Sequence, residues 1–319
     1  MPNPKPSVAP AKPERDTSPS RRNFIKNGSM MLAGGAIAGS TLSVAQSAHA
    51  IGNDTIKLGL IGCGGRGTGA AIQALNTLGG GVKLVAMADA FKNNLQTAYR
   101  TIKGVHPNKV DVDDRRLAGL DGYKQVMDSD ANFVILASPP GFRPQHFEAA
   151  VDAGKHVFME KPVATDATGV RRVLAANQRA KQKGLAVQVG LQRRHELRYQ
   201  ECVERLHQGV IGDLMFARAY WNGSGVWVRP RKRNQTELAY QLRNWYYFTW
   251  LCGDHIDEQH IHNLDVINWV AQGYPVEAQG VGGREVRNGS DHGQIFDHHM
   301  VEYTYASGLK LLSQCRQIQ

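Results

Sequence analysis

The sequence predicts an α/β fold whose first folded domain is a doubly wound, mostly parallel sheet. Three observations carry that reading. From Thr55 to Gly190, short apolar runs of strand length alternate with amphipathic stretches of helical length. A glycine series, Gly62-x-Gly64-x-x-Gly67, stands between the first apolar run and the first helical stretch. The second run ends on a carboxylate, Asp89, twenty-two positions past Gly67.

The elements follow in order. "IKLGLIG" reads as a buried strand ending in glycine, and "RGTGAAIQALNTL" as the helix after it. "VKLVAMAD", residues 82–89, is the second strand. "ANFVILASPP" is a further buried strand running into a turn, and "HFEAAVDAG" is a helix with Gly154 suited to its C-cap. "KHVFME" is the next strand, "TDATGVRRVLAANQRAKQKG" an amphipathic helix stopped by Gly184, and "LAVQVG" closes the series. Beyond it, "LQRRHELRYQECVERLHQG" reads as one helix and "LMFARAYW" as a strand. "HHMVEYTYASGLKLLSQCRQ" reads as a hairpin turning at Ser307-Gly308.

The glycines have separate physical tasks. Gly62 permits the tight turn, Gly64 lets backbone approach a pyrophosphate, and Gly67 lets the helix pack on the strand. The helix N-terminus presents free N–H groups and positive potential to phosphates. Asp89 lies at the interval expected of a carboxylate that accepts hydrogen bonds from both ribose hydroxyls. It repels a 2′-phosphate, which favours NAD, while Lys92 three residues on leaves NADP open.

The 319 residues suffice for two domains with ordinary cores. With 42% hydrophobic and 21% charged residues, the composition is that of a globular chain, neither disordered nor membrane-spanning. The formal charge is +10. Part of it belongs to the first fifty residues, where Lys5, Lys12, Arg15, Arg21, Arg22 and Lys26 face only Glu14 and Asp16. The rest is spread out except for "RPRKR" at residues 229–233, read as a solvated loop, so no nucleic-acid partner is expected. The cysteines at 63, 202, 252 and 315 form no CxxC pair and indicate no disulfide in particular.

Ser20-Arg21-Arg22-Asn23-Phe24-Ile25-Lys26 resembles the twin-arginine export signal. A weakly apolar, glycine-diluted stretch follows, and Ala48-His49-Ala50 fits a small-x-small cleavage site. The stretch is shorter than a spanning helix needs. The expectation is a leader over 1–50 engaging the twin-arginine machinery without a stable membrane anchor, a periplasmic or otherwise extracytoplasmic location, and a mature chain that starts near Ile51. Such a route carries folded proteins with cofactor already bound, so the nicotinamide cofactor is expected to be tightly held.

Glu160-Lys161-Pro162, following "GKHVFM", resembles the signature of the glucose–fructose oxidoreductase/inositol dehydrogenase (Gfo/Idh/MocA) family, and His146 stands where that family carries a histidine. The resemblance implies a Rossmann-like domain over 51–190 and an α+β domain over 191–319 with an open-faced, mainly antiparallel sheet. It implies a cofactor-binding set of Gly62, Gly64, Gly65, Arg66, Gly67, Asp89, Ser138, Pro139, His146, Glu160, Lys161 and Pro162. Lys161 is implied to lie by the nicotinamide and to stabilise a developing alkoxide.

"WLCGDHIDEQHIHNLDVINWV" reads as a helix. Its spacing puts His255, Glu258, His262 and Asp265 on one face, with His260 pointing elsewhere and Leu264, Ile267 and Val270 supplying core. The family pattern D-x-x-x-H-x-x-D aligns on Glu258, His262 and Asp265, with Glu in place of the first Asp. His262, with an ordinary pKa near 6.5, is then the acid/base, and Glu258 holds the imidazole or a neighbouring hydroxyl. The implied catalytic residues are Lys161, His262 and Glu258; the implied substrate contacts are Lys161, Arg194, His255, Glu258, His262 and Asp265. The HExxH arrangement of a zinc helix is absent and no metal is expected.

The function expected is an NAD(P)-dependent oxidoreductase acting on CH–OH groups of a sugar, polyol or glycoside. An NAD-dependent glycoside hydrolase working by oxidation and elimination, and a non-catalytic sugar sensor, are the alternatives. A homo-oligomer is expected. The stop at "SQCRQIQ", within an expected strand, raises the expectation of a C-terminal truncation.

Overall fold

The computed structural model describes residues 55–77 and 81–319. The leader and its expected cleavage site lie outside the described residues.

The first sheet has six parallel strands: β1 (Ile56–Ile61), β2 (Val82–Asp89), β3 (Arg116–Ala118), β4 (Phe133–Leu136), β5 (His156–Met159) and β6 (Val187–Val189). Their order is β3-β2-β1-β4-β5-β6, so the chain winds outwards in both directions from β1 and β4. Five helices intervene: α1 (Gly65–Leu75), α2 (Lys92–Val105), α3 (Gly122–Asp128), α4 (Arg143–Asp152) and α5 (Ala167–Gln182). Asp166 caps α5, accepting from Gly169 N at 2.6 Å.

Side chains alternate cleanly across this sheet. Along β4, Val134 and Leu136 pack with Phe147, Val151 and Ala176 from α4 and α5. Ile135, between them, packs with Leu58, Leu60, Leu75 and Ile102 on the side of α1 and α2. Both faces are buried, which explains why these strands read as continuous apolar runs.

The region expected as one helix over 191–209 is broken. A 3₁₀ turn spans Gln192–His195, Glu196 is extended, and α6 runs only over Leu197–His207. The second sheet contains β7 (Phe216–Gly223), β8 (Pro275–Gly283), β9 (His298–Tyr305) and β10 (Lys310–Gln317) in the order β7-β10-β9-β8. The hairpin forms as expected, with Gly308 at φ +88°. The sheet is mixed: β8–β9 and β9–β10 are antiparallel, while β7 runs parallel to β10. One face of the sheet is open. Phe216 and Tyr220 on β7 and Met300 on β9 are exposed, whereas Ala219, Leu309, Leu311 and Tyr305 pack with Leu264 and Ile267 of a covering helix, α9 (Ile261–Ala271).

Ahead of α9, α7 (Glu237–Arg243) and the short α8 (Thr249–Cys252) gather an aromatic cluster that includes Tyr240, Tyr246, Tyr247 and Phe248. Gly253 and Asp254 then both take positive φ, +76° and +73°. A π turn over Ile256–His260 leads into α9. The single helix expected over 250–270 is therefore interrupted twice.

Candidate active site

The glycine loop takes the form its spacing predicts. Gly62 has φ +94°, and a side chain there would run into the backbone of Ala137 and Ser138. A side chain at Gly67 would collide with the Gly62 carbonyl, so this glycine sets how closely α1 packs on the turn. Gly64 and Gly65 face open space at the start of α1, whose first turn has no side-chain cap. The uncapped N–H groups and the missing side chains together make a cradle that fits a dinucleotide pyrophosphate. Asp89 ends β2 beside it, accepting from Cys63 N and Phe91 N at 2.7 Å each. Burial raises its pKa, opposed by these hydrogen bonds. His146 and Asp89 share a small hollow with Gly62, Leu120 and Phe142. His146 Nδ1 lies 2.9 Å from Ser138 Oγ, and Pro139 continues that turn. Burial, then the Arg143 charge, pushes His146 down to about 3 and keeps it neutral.

A larger cleft of about 710 Å³ begins at this loop and reaches the second sheet. Arg66, Ser138, Glu160 and Lys161 line it from the first domain, and Glu258, His262 and Trp221 from the second. Arg66, in the first turn of α1, reaches Glu160 at the end of β5 (Nε–Oε1 2.6 Å). Gly190 leaves room for that carboxylate; a side chain there would sit 2.6 Å from Glu160 Oε2. The Lys161–Pro162 peptide bond is cis.

Lys161 Nζ lies 3.0 Å from Glu258 Oε1 and also donates to the Glu258 carbonyl. Both side chains are largely covered, at 13% and 14% exposure. Burial raises the Glu258 pKa, and Lys161 pulls it back. His262 is 9% exposed and stacks on Trp221, with ring centroids 6.2 Å apart. Its Nδ1 has no hydrogen-bond partner among the described residues. Burial, then the charges of Lys161 and Arg193, pushes the imidazole down to about 4, well below the ordinary value the sequence suggested. Near neutral pH it is an uncharged proton acceptor beside an ammonium.

Three expected substrate contacts are not in this cleft. His255 is fully buried and turned towards Asp254 and His299, because the π turn changes the angular step between it and Glu258. Asp265 lies three residues past His262, about 60° around the helix, and pairs with Arg194 (Nε–Oδ2 and Nη2–Oδ1, each 2.8 Å). Arg194 is thereby held away from the cleft. The 3₁₀ turn brings Gln192 and His195 in instead, three residues apart on one side. Arg193 binds Asn263 and lies 5.9 Å from the Trp221 ring centroid.

Sequence reasoning missed Arg143, Trp221 and Trp245. Arg143 is 1% exposed and donates to the carbonyls of Leu136 and Ser138 at 2.6 and 2.8 Å. Among the described residues no carboxylate is hydrogen-bonded to it, yet its charge acts on Glu160 and Glu258. Arg143 opens α4, seven residues past the end of β4 and beyond a 3₁₀ turn, so no strand terminus marked it in the sequence. Trp221 was legible from alternation along β7, where Ala217 and Ala219 occupy the covered face.

Comparison with known proteins agrees with this architecture. Residues 56–191 match the model of the Gfo/Idh/MocA oxidoreductase family, NAD-binding Rossmann fold. The inositol 2-dehydrogenase of Cereibacter sphaeroides is 28% identical over 257 residues, which is 81% of this chain and 66% of that enzyme. That of Burkholderia lata is 30% identical over 261 residues, again 81% and 66%. The chain thus spans just under two thirds of the length of these relatives. Among solved structures, scyllo-inositol dehydrogenase from Lactobacillus casei with bound NAD(H) and scyllo-inositol superposes with TM-score 0.61 at 22% identity, covering 82% of this chain and 69% of that one. Myo-inositol 2-dehydrogenase from Lactobacillus plantarum gives TM-score 0.62 at 21% identity, with 82% and 69% covered. With its glycine cradle, its terminal Asp89 and its Glu160-Lys161-Pro162 corner in one Rossmann fold, the stretch over residues 56–191 is similar to the NAD-binding domain of the Gfo/Idh/MocA oxidoreductase family.

Proposed function

We propose that this protein is an NAD-dependent dehydrogenase that oxidises a secondary ring hydroxyl of a cyclic polyol or sugar and reduces the ketone in the reverse direction. One observation carries the reading: Lys161 and Glu258, in contact, share with His262 a single cleft that Arg66 of the glycine loop also lines. The inositol dehydrogenases among its relatives favour a polyol ring as substrate.

Residues of the glycine loop, with Asp89, hold the dinucleotide. NAD, when bound, supplies the acceptor for the hydride that leaves carbon. The neutral His262 takes the hydroxyl proton at a ring nitrogen. Lys161 directs its ammonium at the same oxygen and stabilises the negative charge that develops there. Glu258 holds Lys161 in orientation, and its own buried carboxylate is balanced in return. Trp221 fixes the plane of His262 and, with Trp245, offers an aromatic wall to a sugar ring. Arg194, His255 and Asp265 have no place in this step.

The test is incubation of the purified protein with NAD and inositol stereoisomers or free sugars, following reduced-nicotinamide absorbance. Nitrophenyl glycosides without added NAD are tested in parallel. Reduced cofactor supports the dehydrogenase; chromophore release in its place moves the assignment to oxidation and elimination. Absence of both refutes turnover on these substrates and favours the sensor.

The exported location, the retained cofactor and the homo-oligomer belong to the same proposal. The Arg21-Arg22 leader supports export, and the scarcity of free NAD outside the cytoplasm makes retention necessary. Recovery of a mature chain starting near Ile51 from a periplasmic fraction, with NAD released only on denaturation, is the expected result.

A further inference from the structure

We infer that Asp254, His255 and His299 form a divalent metal site, outside the reacting groups, that fastens the turn carrying Glu258 to the second sheet. Their ligand atoms lie within 4.8 Å of one another. Asp254 Oδ1 is 3.3 Å from His299 Nε2 and 3.9 Å from His255 Nε2. Ligands about 2.1 Å from a tetrahedral zinc are roughly 3.4 Å apart, so the two measured edges need only a slight inward movement.

The partnering of these groups points to a ligand. His255 has no accessible surface, and among the described residues neither of its ring nitrogens has a hydrogen-bond partner. His299 Nε2 is also without one, although it faces the Asp254 carboxylate. Buried imidazole nitrogens are ordinarily paired, and two rings converging unpaired on one carboxylate call for explanation. A cation accepting a lone pair from one nitrogen of each ring and charge from Asp254 accounts for the two Nε2 atoms that converge on the carboxylate. Plain ion pairing leaves His255 Nε2 without a partner, since it stands 3.9 Å from the carboxylate.

The carboxylate is already aimed. Asp254 Oδ1 accepts from His255 N at 2.6 Å and Oδ2 from Phe296 N at 2.8 Å. These second contacts orient it as outer partners orient a metal ligand. Asp254 holds φ +73°, an uncommon conformation for a residue with a side chain. Two imidazoles and one carboxylate suit zinc first among divalent metals, with a solvent molecule completing four-coordination. The side chains of His299 and Asp254 keep 14% and 12% exposure, which leaves an entry route.

Placement decides the role. None of the three residues lines the cleft around Lys161, so the ion takes no part in proton or hydride transfer. His299 belongs to β9, and Asp254-His255 lead directly into the π turn that carries Glu258. The ion therefore ties that turn to the sheet. It departs from the sequence expectation of no metal, which weighed His255 with Glu258 and His262.

The test is metal analysis of the full chain purified without chelator, followed by chelation and titration with Zn²⁺, then Co²⁺ as a spectroscopic probe. Expected are about one zinc per chain retained through desalting, a visible Co²⁺ spectrum of low-coordinate type, and a lower melting temperature after chelation. His255→Gln and His299→Gln each lose the metal and the chelator sensitivity. Chelation of the wild-type chain supplies the readout if a variant fails to fold. Metal lost on desalting, or equal metal content in folded variants and wild type, overturns the site. Neither measurement depends on turnover, so failure here is distinct from failure of the proposed activity.

Discussion

Replacing Lys161 by Met separates two effects that this structure joins in one contact. Lys161 Nζ is 3.0 Å from Glu258 Oε1, and both side chains are almost fully covered. Removing one partner of a buried pair costs about 3–5 kcal/mol, because the other charge is left uncompensated. Glu258 can escape by taking a proton, at about 1.4 kcal/mol per unit between its ordinary pKa and the solution pH. Near pH 7 the stability loss is therefore capped at roughly 4 kcal/mol, and near pH 5 at roughly 1 kcal/mol. Turnover loses a separate factor. Deleting one charge-stabilising donor typically costs about 10²–10³ in kcat, and that loss does not shrink as the pH falls. The assay has three readings: the melting temperature from pH 5 to 7, NAD affinity by fluorescence, and kcat with an inositol substrate. Adding Glu258→Gln to Lys161→Met restores most of the stability and none of the turnover. A stability loss independent of pH refutes the coupling between these side chains. A kcat within tenfold of wild type refutes the role of Lys161, and a functioning sensor would have no turnover to lose.

Other expectations follow from the same geometry. Gly62→Ala forces a side chain into the Ala137–Ser138 backbone at positive φ, so it should cost several kcal/mol in chemical denaturation, on the order of 3 or more. Gly64→Ala meets no protein atom, so the melting temperature should hold while NAD affinity falls about tenfold or more in a titration. Asp89→Ala removes the acceptor at the end of β2 and should weaken NAD more than NADP, read as the ratio of their dissociation constants. Buried neutral His146, His260 and His262 have pKa values depressed to about 3, 4 and 4. Below about 6.5 the unfolded chain binds protons that these folded histidines refuse. Their contribution is thus present above pH 6.5 and is lost as pH falls towards 4, partly offset by the raised carboxyls of Asp89, Glu258 and Asp257, the last pushed up to about 8 by burial. Urea melts between pH 4 and 7 should show stability rising with pH, and a flat or falling profile contradicts the burial of these rings.

The first domain was legible because local and long-range demands coincide there. β1, β2 and β4 are buried on both faces, so each reads as an apolar run, whereas the three-residue β3 is partly exposed, begins with Arg116 and gave no such signal. Gly62, Gly67, Asp89 and Lys161 were readable since a backbone constraint or a strand terminus fixes each of them. The histidine-rich segment was harder because helical spacing assumes one angular step per residue. At Gly253 and Asp254 the chain leaves helical φ, and over Ile256–His260 it widens to a π turn. Those two departures rotate His255 out of the set while Glu258 and His262 stay on the cleft. A continuous α-helix would have aimed His255 at the cleft and left β9 without its neighbour at His299. The irregular stretch thus lets one short segment serve two places, the reacting cleft through Glu258 and His262 and the sheet anchor through Asp254 and His255. It follows that a one-residue deletion within Ile256–His260, which restores regular helix, should rotate Glu258 away from Lys161 and abolish turnover even if NAD still binds to the glycine loop.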